Sequence, residues 1–210
     1  LAVLPFENMS GDAANGYFSD GVSAEILNVL ARTPELQVAA RTSSFAFRGK
    51  SKEIPEIARA LKVRMVLEGS VRRQGNRVRI TAQLIDARSG FHVWSQTYDR
   101  ELKDIFAIQD EIARAIGKEL QVKMVGAGEA GAKTVSTKNL EAYDLYLRGL
   151  GLWQQRRERE LWEAAALFER AIAKDPKFAE AHAGAALVYV VIADYSGRIT
   201  PEQALPRARD

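Results

Sequence analysis

The 210-residue chain contains no cysteine and only two histidines. Without cysteine it can form no disulfide, no zinc–thiolate site and no thiol nucleophile. Its apolar runs are far shorter than the roughly 18 residues needed to cross a bilayer. A signal peptide begins with a basic segment followed by an apolar stretch, and this chain does not begin with that pattern. The lack of cysteine fits a reducing cytosol without deciding the compartment. Since residue 1 is leucine within an apolar run, we expect a piece of a longer protein.

Charge of one sign is also scarce, with a formal net charge of +3. Residues 1–125 carry 18 Lys/Arg against 15 Asp/Glu, and residues 126–210 carry 12 against 12. A surplus of three is too small to make nucleic acid the expected partner. The length suggests one or two domains, and the 47% hydrophobic content is ordinary for globular proteins.

The opening pattern predicts helices packed on a sheet. A short apolar run ends at a proline and a polar loop, which is typical of a buried strand and its connection. Apolar residues at helical spacing follow, and a serine or aspartate can cap that helix. The predicted elements are a strand at 1–6, a loop at 7–16, a helix capped by Ser19 or Asp20, a strand at 36–40, a loop at 41–51 and a helix at 53–61.

The hydrophobic period then changes from 3.6 to 2. Val78, Ile80 and Leu84 alternate with polar residues, which predicts a half-buried strand. Tight turns at 74–76 and 86–90 join it to its neighbours. We therefore predict an antiparallel meander of strands at 64–73, 77–86 and 91–98, followed by a long helix at 104–125.

Residues 126–137 are glycine, alanine and polar residues without periodicity, which predicts a linker. Beyond it the pattern is helical at 139–154, 161–174, 178–193 and from Thr200. The fold class is therefore α+β: an N-terminal α/β sandwich with a mixed sheet at 1–125, then all-α helical hairpins at 138–210.

The helical region resembles tetratricopeptide repeats. Ala164, Phe168, Ala171 and Pro176 have the spacing of a repeat's second helix, and residues 178–189 are similar to the first helix of the next repeat. The spacing predicts an enlarged turn at 155–160 and a truncated second repeat. The resemblance implies a protein or peptide partner on a concave helical surface. Truncation would leave an apolar face uncovered at 204–210, which predicts a homodimer or fraying there.

Residues 1–125 resemble the TolB-amino-terminal-like domain of bacterial signalling proteins. The resemblance is carried, in order, by residues 1–12 (LAVLPFENMSGD), 17–21, 38–45, 66–72, 79–86, Trp94 and 104–110. It implies an effector elsewhere in a longer protein: a class III adenylate or guanylate cyclase, a winged-helix regulator or a Ser/Thr kinase. It carries no catalytic residue set. We therefore expect a non-catalytic regulatory module, the alternative being a cyclase fragment whose catalytic domain lies outside these residues.

Three further patterns invite chemistry without supporting it. Gly126–Gly131 satisfies G-x-G-x-x-G but follows a helix rather than a strand. Gly49-Lys50-Ser51 looks like the end of a P-loop, but Ser44 stands where that loop needs glycine. His92 and His182 lie in different halves, so neither a metal pair nor a serine triad can be assembled. No cofactor and no metal are expected.

Polar loops following the first two predicted strands form one candidate site. Parallel strands would bring these loops together at the edge where open α/β sheets bind ligands. A small ligand or a protein could bind there; alternatively the residues only cap helices and close turns. The candidate residues are Asn8, Asp12, Arg41, Thr42, Ser43 and Ser44.

A second candidate is the basic hairpin, defined by Arg72, Arg73, Arg77 and Arg79. Guanidinium groups suit phosphate oxygens, so nucleic acid or anionic lipid is conceivable. The competing interpretation is an edge hairpin whose charges block edge-to-edge pairing. No aromatic platform interleaves with the arginines, which disfavours nucleic acid. Membrane contact is otherwise expected only through a segment of the longer protein.

Overall fold

The computed structural model describes residues 1–33, 35–50, 52–120, 136–197 and 199–209. The chain divides into two compact units, Leu1–Thr134 and Val135–Asp210. None of the described helices is both long and apolar enough to span a membrane. The predicted linker residues 126–135, and with them Gly126–Gly131, lie outside the described residues, as do Pro34 and Ser51.

The first unit, called the α/β unit, is built on a five-stranded mixed sheet, as predicted. The third strand is central: two short strands pair with it in parallel on one side, and the fourth pairs antiparallel on the other. The fifth strand extends the meander antiparallel to the fourth. The strands are β1 (Ala2–Val3), β2 (Glu7–Asn8), β3 (Met65–Gln74), β4 (Arg77–Asp86) and β5 (His92–Glu101).

The interruption between β1 and β2 is a one-residue register shift. Val3 pairs with Leu67 and Glu7 with Ser70, so four steps on one strand match three on the other. Pro5 lies in the gap, where it offers no N–H to the ladder. The predicted polar loop at 7–16 is therefore wrong at its start, because the chain resumes pairing at Glu7.

The described residues of this unit also form four helices: α1 (Gly16–Ala31), α2 (Arg41–Phe45), α3 (Ile54–Leu61) and α4 (Ile105–Glu119). The predicted cap of α1 is wrong, because Ser19 and Asp20 lie inside the helix. The Asp12 carboxylate instead accepts a hydrogen bond of 2.8 Å from the Ala14 amide and caps a 3-10 turn that leads into α1. The prediction of a loop at 41–51 is also wrong at its start, because α2 begins at Arg41.

The strand predicted at 36–40 is not a strand of the sheet. Two of its backbone hydrogen bonds join it to Leu1: the Leu1 amino group donates to the Gln37 carbonyl and the Ala39 amide donates to the Leu1 carbonyl, each at 2.8 Å. The segment thus runs beside β1. Pairing stops there because α2 begins at the next residue, Arg41.

The two faces of the sheet differ. One carries apolar side chains such as Ile80, Leu84 and Tyr98, which are buried with α1 and α4. The other is polar, except where Val66 packs with α3 in a small cluster that includes Leu4 and Ile57. An antiparallel sheet tolerates such a solvated face, because the alternation of side chains satisfies both environments.

The second unit, called the helical unit, contains α5 (Leu140–Trp153), α6 (Glu158–Lys174), α7 (Ala179–Tyr195) and α8 (Pro201–Arg209). Each helix packs on the next, and α5 also contacts α7. The enlarged turn predicted at 155–160 is wrong, since α6 begins at Glu158 and only residues 154–157 connect it to α5. Residues 158–160, predicted to lie in the turn, instead form the first turn of α6, where two glutamates favour a helix N-terminus.

Phe168 is the centre of the helical unit. Its side chain is fully buried on α6, as are Ala164 and Ala171. A Cβ atom at Gly149 of α5 would lie 2.7 Å from the Phe168 ring, and one at Gly184 of α7 would lie 2.9 Å from it. The two glycines therefore allow the neighbouring helices to close on one aromatic ring.

Candidate functional site: a cleft on the polar face of the sheet

An open cleft of about 790 Å³ lies on the polar face of the sheet, beside α3. This volume is within the range of small-molecule sites, about 300–1,000 Å³. Residues 4–9 and the segment before α3, residues 47–50 with Lys52, border the cleft. Its floor consists of four polar side chains from β3 and β4: Glu68, Ser70, Thr81 and Gln83.

Strand alternation and register place these side chains together. Ser70 pairs with Thr81 and Glu68 pairs with Gln83 across the antiparallel ladder, so all four share one face. Glu7 pairs in parallel with Ser70 and joins that face at its edge. The cleft therefore follows from three strands in one register, which no local motif encodes.

On the opposite face, Gly69 of β3 lies close to Thr81 of β4 and to Phe6, the residue before β2. A Cβ atom at Gly69 would lie 2.2 Å from the Thr81 carbonyl oxygen and 2.8 Å from the Phe6 ring. Phe6 is 3% exposed, and its amide donates to the Ser23 hydroxyl at 2.8 Å. Glycine at 69 thus lets the Phe6 ring pack closely against β3.

The floor of the cleft is electrostatically unusual. Burial raises the pKa of the half-buried Glu68 carboxyl; the charge of His92 opposes the rise and that of Glu7 adds to it. In the part of the chain that the structure describes, neither Glu7 nor Glu68 forms a salt bridge. Two carboxylates of like charge therefore share one polar face without a cationic partner in contact.

Cations lie on the border of the same cleft. The Lys50 ammonium sits 5.7 Å from the centre of the Phe47 ring, and Lys52 is exposed. Arg48 is already engaged, because its guanidinium contacts the Asp20 carboxylate at 2.6 Å. Burial raises the pKa of Asp20, and this contact with Arg48 opposes the rise. Lys50 and Lys52 are thus the cations that a ligand could recruit.

Of the loop residues predicted as a site, only Asn8 lines the cleft. Its amide nitrogen donates to the Asp12 carbonyl at 2.8 Å, and its Oδ1 accepts from the Ser10 amide at 3.0 Å. Asn8 and Asp12 therefore close turns, which was the alternative interpretation. Arg41, Thr42, Ser43 and Ser44 belong to α2 rather than to a loop and do not line the cleft.

The second predicted loop still contributes, through residues 47–50, and Lys52 follows directly after it. The floor residues Glu68, Ser70, Thr81 and Gln83 were missed, although a signal for them was present. They are the polar residues that alternate with the apolar residues along β3 and β4. Alternation marks them as solvated, and only the packing of α3 beside them turns a solvated face into a cleft.

The basic hairpin is satisfied within its own unit. Arg77 and Arg79 both donate to the Asp99 carboxylate of β5, at 2.7 Å and 2.5–3.0 Å. Arg72 donates to the Met9 carbonyl at 3.2 Å, and the Arg73 guanidinium lies 5.0 Å from the Phe18 ring. Since β5 and β2 flank it, this hairpin is not at a sheet edge, and the edge-blocking interpretation is wrong.

The two histidines keep separate surroundings. His92 is exposed on β5, while the His182 ring nitrogen Nε2 lies 3.0 Å from the Pro176 carbonyl. Across the described ranges, no group of three or more His, Asp or Glu residues is arranged to hold a metal ion.

The helical unit has a smaller cleft of about 420 Å³ between α6, α7 and α8. The Tyr189 hydroxyl donates there to Glu169 at 2.5 Å, and the Arg207 guanidinium lies 5.8 Å from the Tyr189 ring. Burial and the bond to Glu169 raise the pKa of Tyr189, with Arg207 opposing the rise.

Comparison with known proteins places these features in a wider context. No family model matches the chain. Putative adenylate cyclase 3 of Rhizobium meliloti (strain 1021) is 45% identical over 188 residues. The chain resembles part of a putative cyclase. The match covers 90% of this chain and 32% of that protein, so the chain spans about a third of the relative's length.

Solved structures resemble the chain more distantly. TolB from Acinetobacter baumannii has a TM-score of 0.41 and 14% identity, over 57% of this chain and 27% of that one. The lipoprotein GNA1162 from Neisseria meningitidis has a TM-score of 0.41 and 17% identity, over 59% of this chain and 97% of that one. Both TM-scores are low, so membership of a TolB-like family remains a proposal.

Proposed function

We propose that this chain is a non-catalytic regulatory module of a longer bacterial signalling protein. In this proposal a TolB-amino-terminal-like α/β unit receives a ligand at the polar cleft. A tetratricopeptide-like helical unit binds a protein or peptide, and the signal passes to an effector domain outside these residues. A nucleotide cyclase is the effector that the comparisons favour.

The observation that carries the proposal is the 45% identity to about a third of a putative adenylate cyclase. Identity at this level over 90% of the chain supports a shared role for the whole segment. Because the segment is a minor part of that relative, cyclase chemistry can reside elsewhere in it. This favours an accessory role here.

The architecture of each unit supports the same role. The α/β cleft presents acids, amides, hydroxyls and two lysines, which can recognise a polar ligand. In the helical unit, helices close on Phe168 through Gly149 and Gly184, as expected for hairpins stacked in a repeat array. Leu187 and Val190 of α7 are more than half exposed and offer an apolar contact surface.

A turnover assay tests the non-catalytic part of this proposal. The purified chain is incubated with ATP or GTP and Mn²⁺, and cyclic nucleotide and inorganic phosphate are measured. We expect neither product above the protein-free control. Turnover that a single substitution of a polar residue abolishes would overturn the proposal.

A second experiment tests regulation in the full-length parent protein. Glu68→Gln removes one charge from the cleft while keeping the size of the side chain, so we expect altered effector output at unchanged protein abundance. Glu101→Gln is the matched control, because Glu101 lies on β5 outside the cleft and bonds Lys103 at 2.8 Å. Equal output from wild type and both variants would contradict a regulatory cleft.

A further inference from the structure

The polar cleft of the α/β unit holds charges of both signs that are not paired with each other. Glu68 lies on the floor of the cleft and Glu7 at its edge, while Lys50 and Lys52 lie on its border. Within the described residues none of these four side chains forms a salt bridge. The two carboxylates and the two lysine ammonium groups therefore line one cleft without contacting each other.

A bound ligand could stabilise both the acidic groups and the basic groups of the cleft. The Glu68 carboxylate is half-buried and has a second carboxylate nearby, so a ligand ammonium would replace lost solvation and relieve repulsion. The Lys50 ammonium lies near the Phe47 ring, and both side chains line the cleft. An anionic group of the ligand would find Lys50 and Lys52 there.

Apolar surface adjoins both sets of charges. Phe47 and Ile54 line the cleft, and Met9 on the same border is 48% exposed. A ligand with an apolar group could bury it against these side chains while its charged ends reach the acids and the lysines. A ligand with only one charge would leave the other set unpaired.

We infer that the cleft binds a small zwitterion that carries an ammonium group, a carboxylate and an apolar side group. Free amino acids and short peptides share this chemistry. The ammonium binds Glu68 and Glu7, the carboxylate binds Lys50 and Lys52, and the side group contacts Phe47. This inference rests on the proposed function in taking the cleft as the ligand site.

Three probes with one phenyl ring test it: phenylalanine, 2-phenylethylamine and 3-phenylpropionate. They share the apolar group and differ only in charge. Backbone amide shifts of the ¹⁵N-labelled chain give each dissociation constant. We expect phenylalanine to bind about tenfold tighter than either singly charged analogue, the effect of one additional charge-assisted bond in an open site. Shifts should centre on residues 68–70 and 47–50.

Charge-neutralising variants assign each end of the ligand. Glu68→Gln should remove the advantage of phenylalanine over 3-phenylpropionate, because the ammonium loses its partner. Lys50→Gln combined with Lys52→Gln should remove its advantage over 2-phenylethylamine. Glu101→Gln is the control and should change no affinity. Thermal unfolding of every variant checks that the α/β unit stays folded.

A dipeptide arm separates the two sources of the ligand. Tighter binding of alanylphenylalanine than of phenylalanine would support the inference with a peptide ligand, and the reverse order would support it with a free amino acid. Equal affinity of the three phenyl probes would overturn the zwitterion while leaving the cleft as a binding site. The absence of amide shifts with every probe and with the dipeptide would also overturn the inference. The turnover assay tests the non-catalytic role separately.

Discussion

Asp99 is the single carboxylate on which two arginines converge. Arg77 and Arg79 stand two residues apart on β4, so both point to the same face and reach across to Asp99 on β5. Their hydrogen bonds and charges lower the pKa of Asp99 to about 2, although its side chain is 33% exposed. The arrangement fixes both guanidinium groups on one carboxylate of the neighbouring strand.

The Asp99 cluster predicts a specific dependence of stability on pH. Because the pKa of Asp99 in the folded chain lies below its ordinary value of 3.8, the ionised group stabilises the fold above that value. This contribution should be lost as the pH falls from about 4 towards 2. Urea unfolding of wild type and Asp99→Asn should therefore differ at neutral pH, and the difference should shrink steadily as the pH falls towards 2.

The titration of the Asp99 carboxyl can also be followed directly by NMR. Arg79→Gln should raise the pKa of Asp99 towards 3.8, because one of its two partners is lost. Arg88→Gln, in the turn after β4, is the matched control and should leave the pKa of Asp99 in place. A wild-type Asp99 that titrates near 3.8 would contradict the cluster.

Gly69 predicts a steric effect on stability. Gly69→Ala places a Cβ atom 2.2 Å from a backbone oxygen, which side-chain movement cannot relieve. We expect a loss of about 2–3 kcal/mol in the free energy of unfolding, typical of overpacking. Gly16→Ala in α1 meets nothing within 4 Å and should be neutral or slightly stabilising. Equal denaturation midpoints for the two variants would refute the close approach of Gly69 to Thr81 and Phe6.

Among the elements, the start of the helical unit depends on side-chain bonds that precede α5. Ser136 accepts a hydrogen bond of 2.9 Å from the Ala179 amide and donates to Glu180. Thr137 donates to Asp175 at 2.6 Å, and Asn139 caps α5. Two residues assigned by sequence to the linker thus join the helical unit, Ser136 at the start of α7 and Thr137 at the end of α6.

Removing these bonds should weaken the helical unit. Ser136→Ala combined with Thr137→Val deletes both hydroxyls at nearly constant volume, and we expect a loss of about 1–2 kcal/mol. Amide hydrogen exchange in α7 should quicken accordingly. Ser43→Ala, an exposed serine of the α/β unit, is the control. Unchanged protection of α7 in the double variant would show that Ser136 and Thr137 do not stabilise it.

Element by element, long and strongly periodic segments were predictable. The bounds of β4 agree with the predicted residues 77–86, because alternation of Val78, Ile80 and Leu84 is a local consequence of strand geometry. Short elements were not. β2 and α2 each depend on a partner far along the chain, so their own few residues carry too little pattern to identify them.

At the scale of the whole molecule, α8 is the helix through which two copies of the chain are predicted to associate. Ala204 is buried, but Leu205 is 46% exposed, while Asp210 lies outside the described residues. The prediction remains that the face at 204–210 either forms a homodimer or frays. Light scattering should give a dimer mass, which Leu205→Gln lowers, or hydrogen exchange in α8 should be fast. A monomer with a slowly exchanging α8 would contradict both.

What the sequence by itself determined was the α+β class, the meander and the run of helices, because periods of 2 and 3.6 are set by local backbone geometry. It also supplied the residues of both signs that border the cleft. Only the tertiary structure decided that Glu68 and Gln83 share a floor beside Lys50. That juxtaposition depends on strand register and on where α3 packs, and both are contacts between residues distant in sequence.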